Sequence, residues 1–315
     1  NSNEYEYFFD VADYVSGQGL VALLAGITVA AADGKDLPAA LASICDGIFA
    51  SEADKRIASG LKDADDSLLL LGNIAGRHAA YSAVRALAAI IGELTGAKIG
   101  NITEGPNSAG ASLAGVLPHR GAAGKKRNNP GLDVAGMLEN DLELVLLVNV
   151  EPDLDIHAIN GAVSRLSKQK HVIALTPYVS GGLLEAADLL LPIGSFAETS
   201  GTYVNVEGTW QSFAGVASPV GDARPCWKIL RVLGNLTGAE GFDFISSEEI
   251  LAVFKESLSD AGAGSYDAVS NVSKPNGADA PDQEIDTPLY SIDSTVRRAN
   301  ALQQTLSAKR TEGTN

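Results

Sequence analysis

The chain has 315 residues, a net charge of −16 and an apolar content of 45% against 20% charged residues, the balance of a globular protein with a sizeable core. An excess of acid this large argues against nucleic-acid binding, which needs clustered lysine and arginine, and against docking on an anionic membrane surface. Two distant cysteines, Cys45 and Cys226, argue against a disulfide framework and against an iron–sulfur or structural zinc site built from this chain alone.

Residues 1–66 are rich in alanine, leucine and glycine and lack strand-like alternation, so they are expected to be a helical N-terminal part. Their apolar run, Leu20 to Ala32, falls short of the roughly 20 residues that cross a bilayer. The acids before it (Glu4, Glu6, Asp10, Asp13) do not suit a signal peptide. The chain opens on Asn1 rather than methionine, which suggests a fragment of something longer.

A βαβ pattern follows: a strand over Ser67–Leu71, a helix over about Ala75–Leu94 stopped by Gly96, and a strand over Ala97–Ile102. Gly105–Asp133 reads as a long loop whose Lys125-Lys126-Arg127 triplet is expected to be a solvated, mobile tip. The sharper alternative is an anion contact. The pattern resumes with a buried strand over Leu144–Val150, a helix over Ile156–Lys168 with Asp155 as N-cap, and strands over His171–Thr176 and Leu189–Ile193, with a break at Gly181-Gly182. Strands alternating with helices predict an α/β fold with mostly parallel sheets.

Tyr203-Val204-Asn205-Val206-Glu207 alternates polar and apolar, a short strand with its valines inward, bounded by Gly201 and Gly208. Gly221–Gly238 reads as a helix with Asp222 as cap and Trp227, Leu230 and Leu233 facing the core. Ser247–Leu258 reads as another, with Glu248 and Glu249 in its first turn. Residues 259–286 have the composition of a flexible acidic linker, and 287–315 regain that of a tail segment able to pack back on the domain. The α/β domain itself is expected over 67–258.

Signatures of chemistry are sparse. The histidines (His78, His119, His157, His171) are not at metal-ligand spacing, and surface or helix-start positions explain them better. Gly72-Asn73-Ile74-Ala75-Gly76-Arg77-His78 sits between strand and helix, where a phosphate-binding turn would lie, but matches neither GxGxxG nor a Walker loop. Glu151 stands at the C-terminal end of a strand, where α/β proteins receive ligands.

The stretch Glu198–Gly238 (ETSGTYVNVEGTWQSF through ARPCWKILRVLGNLTG) resembles the C-terminal domain of the G subunit of bacterial NADH:quinone oxidoreductase, respiratory complex I. The mitochondrial counterpart is the 75 kDa subunit. The resemblance extends through NSAGASLAGVLP, PGLDVAGML, LVLLVNVEPDLD, LEAADLLLPIGSFAETSGT and PLYSIDSTVRRANALQQT. It implies molybdopterin oxidoreductase-like subdomains of the formate dehydrogenase and DMSO reductase type, without the cofactor. The parent subunit's iron–sulfur clusters would lie in N-terminal segments outside this sequence.

On that resemblance no residue is catalytic and none holds a metal. Glu151, Gly201, Asn205 and Glu207 are the vestigial cofactor-site positions. Active cofactor enzymes often carry Asn-Pro where this chain has Glu151-Pro152, and a carboxylate there would repel the phosphates of a pterin dinucleotide. The implied role is a scaffold on the cytoplasmic side of the bacterial inner membrane. Its implied partners are the iron–sulfur part of the same subunit and other peripheral-arm subunits. Two alternatives remain: the cofactor-binding part of a molybdopterin-dependent oxidoreductase such as a formate dehydrogenase, and, more remotely, a thiamine- or nucleotide-binding module.

Overall fold

The computed structural model describes residues 19–103, 105–156, 159–259, 290–306 and 308. Almost all of the acidic stretch 259–286, and the first part of the helical segment, lie outside the described residues. The described residues divide into two compact units, the first running to Ser108 and the second from Ala109 onward, and each is described by itself.

The first unit is built around α1 (Gly19–Ala32). This helix is apolar on every side, and a helix of that kind is buried, in a protein core or in a membrane. Leu24, Ala25, Ile27, Ala31 and Ala32 are buried, and the Thr28 hydroxyl donates to the Leu24 carbonyl at 2.8 Å. The apolar run is thus an interior helix, and among the described residues no helix is long and apolar enough to cross a membrane.

Around α1 lie α2 (Ala39–Cys45), α3 (Glu52–Asp63) and α5 (Tyr81–Thr95). A reciprocal cap starts α3. The Asp54 N–H donates to Ser51 Oγ at 3.1 Å, and the Ser51 N–H donates to Asp54 Oδ2 at 2.8 Å. β1 (Leu68–Leu71) and β2 (Lys98–Asn101) pair in parallel across α5, as the βαβ pattern predicts. The expected helix over Ala75–Leu94 is divided, however. A single turn, α4 (Asn73–Gly76), ends before α5 begins, and His78 Nδ1 accepts the Ala80 N–H at 3.0 Å in the gap. Gly76 weakens helical propagation there, and the imidazole gives the next amide another partner.

In the second unit, the expected loop over Gly105–Asp133 contains α6 (Ser108–Ala114, which starts at the boundary between units) and is stapled by arginine. Arg127 donates from Nε to the Arg120 carbonyl at 2.8 Å and from Nη2 to that of Gly115 at 3.3 Å. Lys125 and Lys126 are exposed as expected, and Arg127 holds the loop's own backbone. Gly115 must be glycine: its φ is +79°, and a Cβ would lie 2.3 Å from the Gly121 carbonyl carbon.

α7 (Val134–Glu139), capped by Asp133, leads to a parallel sheet of β3 (Val145–Val148), β4 (Val172–Thr176) and β5 (Leu189–Pro192) in that order. Between the strands run α8 (Pro152–Asp155), α9 (Ala162–Leu166) and α10 (Gly181–Ala186). Leu147, Val172 and Ala174 pack against Leu138, Leu166 and Leu183. The Leu144–Val150 segment is therefore buried on one face only, since Leu146 is 40% exposed beside a buried Leu147.

The helix expected over Ile156–Lys168 is interrupted. Asp155 ends α8 instead of capping the following helix, and α9 starts at Gly161, which has a φ of +73°. Gly181-Gly182 opens α10 rather than breaking the chain, because the Ser180 hydroxyl caps it through the Leu183 N–H.

β6 (Gly201–Val204) and β7 (Trp210–Phe213) form an antiparallel hairpin. α11 (Cys226–Leu236) has Pro225 at its N-cap position, three residues after the expected cap Asp222, and its start has no side-chain cap, so Asp222 does not cap it. α12 (Ser247–Ser259) matches expectation and contacts β6. The tail contributes a short α13 (Asn300–Gln303).

Candidate functional site

Open parallel sheets receive ligands at the C-terminal ends of their strands, and each unit has one such edge. In the first unit it forms a cleft of about 340 Å³ beyond β1 and β2, lined by Gly72, Asn73, Arg77, Tyr81, Asn101 and Thr103, among others. Tyr81 Oη and Asn101 Oδ1 lie 3.4 Å apart across it. Gly72, Asn73, Gly76 and Arg77 of the weak Gly72–His78 signature thus line the cleft, though the helix behind it is only one turn long. Among the described residues the lining offers hydrogen-bond donors and acceptors and one guanidinium, and no cysteine, histidine or carboxylate.

In the second unit the edge is occupied by side chains of the chain itself. Glu151 follows β3 and is 3% exposed. Arg298 meets it in a fork, Nη1 to Oε1 at 2.8 Å and Nη2 to Oε2 at 2.6 Å. Arg297 adds a longer contact to Oε1 at 3.4 Å and binds Asp155 Oδ1 at 2.6 Å. The other Asp155 oxygen accepts the Glu151 N–H at 2.7 Å, so this aspartate closes the α8 turn and receives an arginine together. The carboxylate of Glu151 pushes the Arg298 guanidinium pKa still higher, chiefly by its hydrogen bond. Arg298 also stacks on Tyr178, its Cζ 4.2 Å from the ring centroid.

The expected site residues therefore fall in two places. Glu151 is at the sheet edge, whereas Gly201, Asn205 and Glu207 belong to the hairpin. Gly201 allows the ring of Phe213 to lie across it, since a Cβ would come 2.9 Å from Phe213 Cζ. Asn205 Oδ1 accepts the N–H groups of Glu207 at 3.0 Å and Thr209 at 2.9 Å, and so shapes the β6–β7 turn. Glu207 and Val206 are exposed on that turn, and of the two valines expected inward only Val204 is buried. Just ahead of the hairpin, Glu198 caps its own turn by accepting the Ser195 N–H at 2.7 Å. Hydrogen bonds from Ser195 hold the Glu198 carboxyl below the usual range.

Sequence reasoning missed Arg297, Arg298 and Tyr178. The adjacent arginines in a segment expected to pack back were the available signal, but nothing in the sequence pairs them with Glu151. Among the described residues no group of three or more His, Cys, Asp or Glu is disposed to hold a metal ion. Burial pushes both thiol pKa values up, at Cys45 and at Cys226.

Parallel strands alternating with helices define an α/β protein. Residues 40–236 match the molybdopterin oxidoreductase family, and the chain belongs to it. It is 33% identical over 128 residues to the NADH-quinone oxidoreductase G subunit of Shewanella oneidensis, covering 35% of this chain and 14% of that protein. It is 44% identical over 54 residues to the mitochondrial NADH-ubiquinone oxidoreductase 78 kDa subunit of Candida albicans, covering 17% of this chain and 8% of that one. A nitrate reductase of Synechocystis is 28% identical over 158 residues, covering 47% of this chain and 22% of the enzyme. The chain thus spans less than a quarter of the length of each of these curated relatives.

The family name implies a molybdopterin cofactor, an anionic group. The edge beyond β3 does not fit it. A buried carboxylate stands there, and the two guanidinium groups near it are committed to Glu151 and Asp155.

Proposed function

We propose that this chain is a non-catalytic scaffold domain of an NADH:quinone oxidoreductase subunit in the peripheral arm of complex I. The observation that carries this reading is the saturated Glu151 at the end of β3, bound by two arginines of the same chain. A cofactor-binding edge needs unfilled donors for phosphate, and here the donors are spent on an internal carboxylate. The similarity to the bacterial G subunit and to the mitochondrial 78 kDa subunit supports the same reading. In it, the iron–sulfur clusters belong to other segments of the parent subunit. The partners are those segments and neighbouring peripheral-arm subunits, on the cytoplasmic side of the bacterial inner membrane.

A second reading is the cofactor-binding part of a molybdopterin-dependent oxidoreductase. Two observations favour it: the cleft beyond β1 and β2, with asparagine, arginine, tyrosine and threonine side chains in its lining, and similarity to a nitrate reductase and to an F420-dependent formate dehydrogenase alpha subunit from Methanococcus maripaludis, 30% identical over 129 residues. Metal and pterin analysis of the native protein separates the two. The scaffold reading expects no stoichiometric molybdenum, tungsten or pterin, with co-purification of NADH:quinone oxidoreductase subunits. Stoichiometric metal with pterin establishes the enzyme reading instead.

A further inference from the structure

The residues on Glu151 come from the far end of the chain, 146 and 147 positions later in sequence. Arg297 is itself buried, its side chain 8% exposed, and Arg298 is 31% exposed. Carboxylates and guanidiniums balance two against two. An arginine–carboxylate fork matches donors to acceptors in one plane, which gives Glu151 a partner of defined position.

The segment is also held apart from the ion pairs. Tyr178, two residues beyond β4, lies under Arg298, and its hydroxyl shares a 3.2 Å hydrogen bond with Thr295 Oγ1. Asp293 Oδ1 accepts the N–H groups of Thr295 at 2.8 Å and Val296 at 2.9 Å, which turns the chain so that both arginines face the sheet edge. Gln303 Nε2 donates to the Tyr290 carbonyl at 2.9 Å and so closes the segment on itself. Arg298 Nη1 and Arg297 Nη2 further donate to the carbonyls of Ser294 and Ile292, at 2.8 and 3.0 Å.

We infer that residues 290–306 are a strap docked on the C-terminal edge of β3 and β4, with Glu151 as its anchor, and that this edge is a socket for the chain's own arginine pair and not for an anionic ligand. The inference concerns this edge alone and does not depend on the scaffold reading. The cleft beyond β1 and β2 is a separate place.

Limited trypsin digestion of the full chain, followed by mass spectrometry, tests it, because trypsin must draw an arginine side chain into its own pocket. In the wild type, cleavage after Arg297 and Arg298 should be slow against cleavage after the exposed Lys125 and Lys126. In Glu151→Gln it should accelerate about tenfold or more, with the lysine cleavages unchanged, since proteolysis of a docked segment follows the population of its open form. If Glu151→Gln unfolds the unit, the lysine cleavages rise too. Tyr178→Leu then replaces it; it leaves the ion pairs intact and should speed the two arginine cleavages severalfold. Unchanged arginine cleavage in a folded variant overturns the strap. So does acceleration of wild-type cleavage by millimolar inorganic pyrophosphate at matched ionic strength, because the edge would then be an anion site.

Discussion

Gly26 on α1 faces Asp54 on α3 so closely that a Cβ on the glycine would lie 2.5 Å from the carboxylate Oδ2. That oxygen is already held by the Ser51 amide and hydroxyl, both at 2.8 Å. The two helices can meet at this separation only without a side chain at position 26. Gly26→Ala is therefore expected to destabilise the first unit by about 1–3 kcal/mol through overpacking. Gly60→Ala on α3, where nothing lies within 4 Å, should stabilise by about 0.5–1 kcal/mol. Urea unfolding of both variants checks the pair, and equal midpoints would contradict the close approach.

Glu151→Ala should be among the most damaging single substitutions in the second unit. It leaves Arg297 with Asp155 as its remaining carboxylate partner and Arg298 without its fork, and breaking a buried pair costs about 3–5 kcal/mol. A loss below about 1 kcal/mol in thermal or urea unfolding would mean that water reaches the pair freely.

Asn205→Ala removes the acceptor of two turn amides. A cost of about 1 kcal/mol is expected for the partly exposed hairpin turn, with Asn205→Asp, which keeps the acceptor, close to wild type. Glu207→Ala should be near neutral, because its side chain stands exposed on the turn. A melting-temperature loss for Glu207→Ala as large as that for Asn205→Ala would show a contact of that carboxylate essential to the hairpin.

Glu198 carries a pH signature. Its folded pKa is depressed by the Ser195 hydrogen bonds, so its contribution is fully present above the unfolded glutamate value of about 4.3 and is lost as pH falls through the folded value. The difference in urea midpoint between wild type and Glu198→Gln should stay level from about pH 7 to about pH 5 and shrink below about pH 4. A difference that grows on acidification would reverse the sign of the argument.

Strand–helix alternation carried most of the secondary structure, because the apolar runs at Leu68–Leu71, Val172–Thr176 and Leu189–Pro192 are bounded by turn residues close to where the strands end. Helix starts were less legible. Asp155 and Asp222 are both good capping residues by type, yet Asp155 is drawn to Arg297 and the Glu151 amide, and Pro225 delays α11 past the reach of Asp222. Local preference yielded to a distant partner in the first case and to a ring in the second. Of the candidate site, Glu151 was visible through its place after a strand. Its arginines were not, because periodicity and turn chemistry act over tens of residues while this contact spans 147. The Asn205 turn was misread for a different reason: period-two alternation continues formally through Val206 and Glu207, although the chain already turns at Asn205, whose carbonyl accepts the Gly208 N–H at 3.0 Å.

The distance in sequence between Glu151 and its arginines also orders events in time. The chain is made from its N-terminus, so β3, β4 and β5 can pair by contacts of tens of residues while Arg297 and Arg298 do not yet exist. Until they arrive, Glu151 has no cation of this pair to meet, and a nascent sheet must keep that carboxylate in water. Closing so long a loop is slow relative to local pairing. The second unit should thus reach its final form in two stages, the sheet first and the sealing of its edge last. A ribosome stalled before the codon for Arg297 would hold a sheet whose Glu151 and Asp155 still lack both arginines.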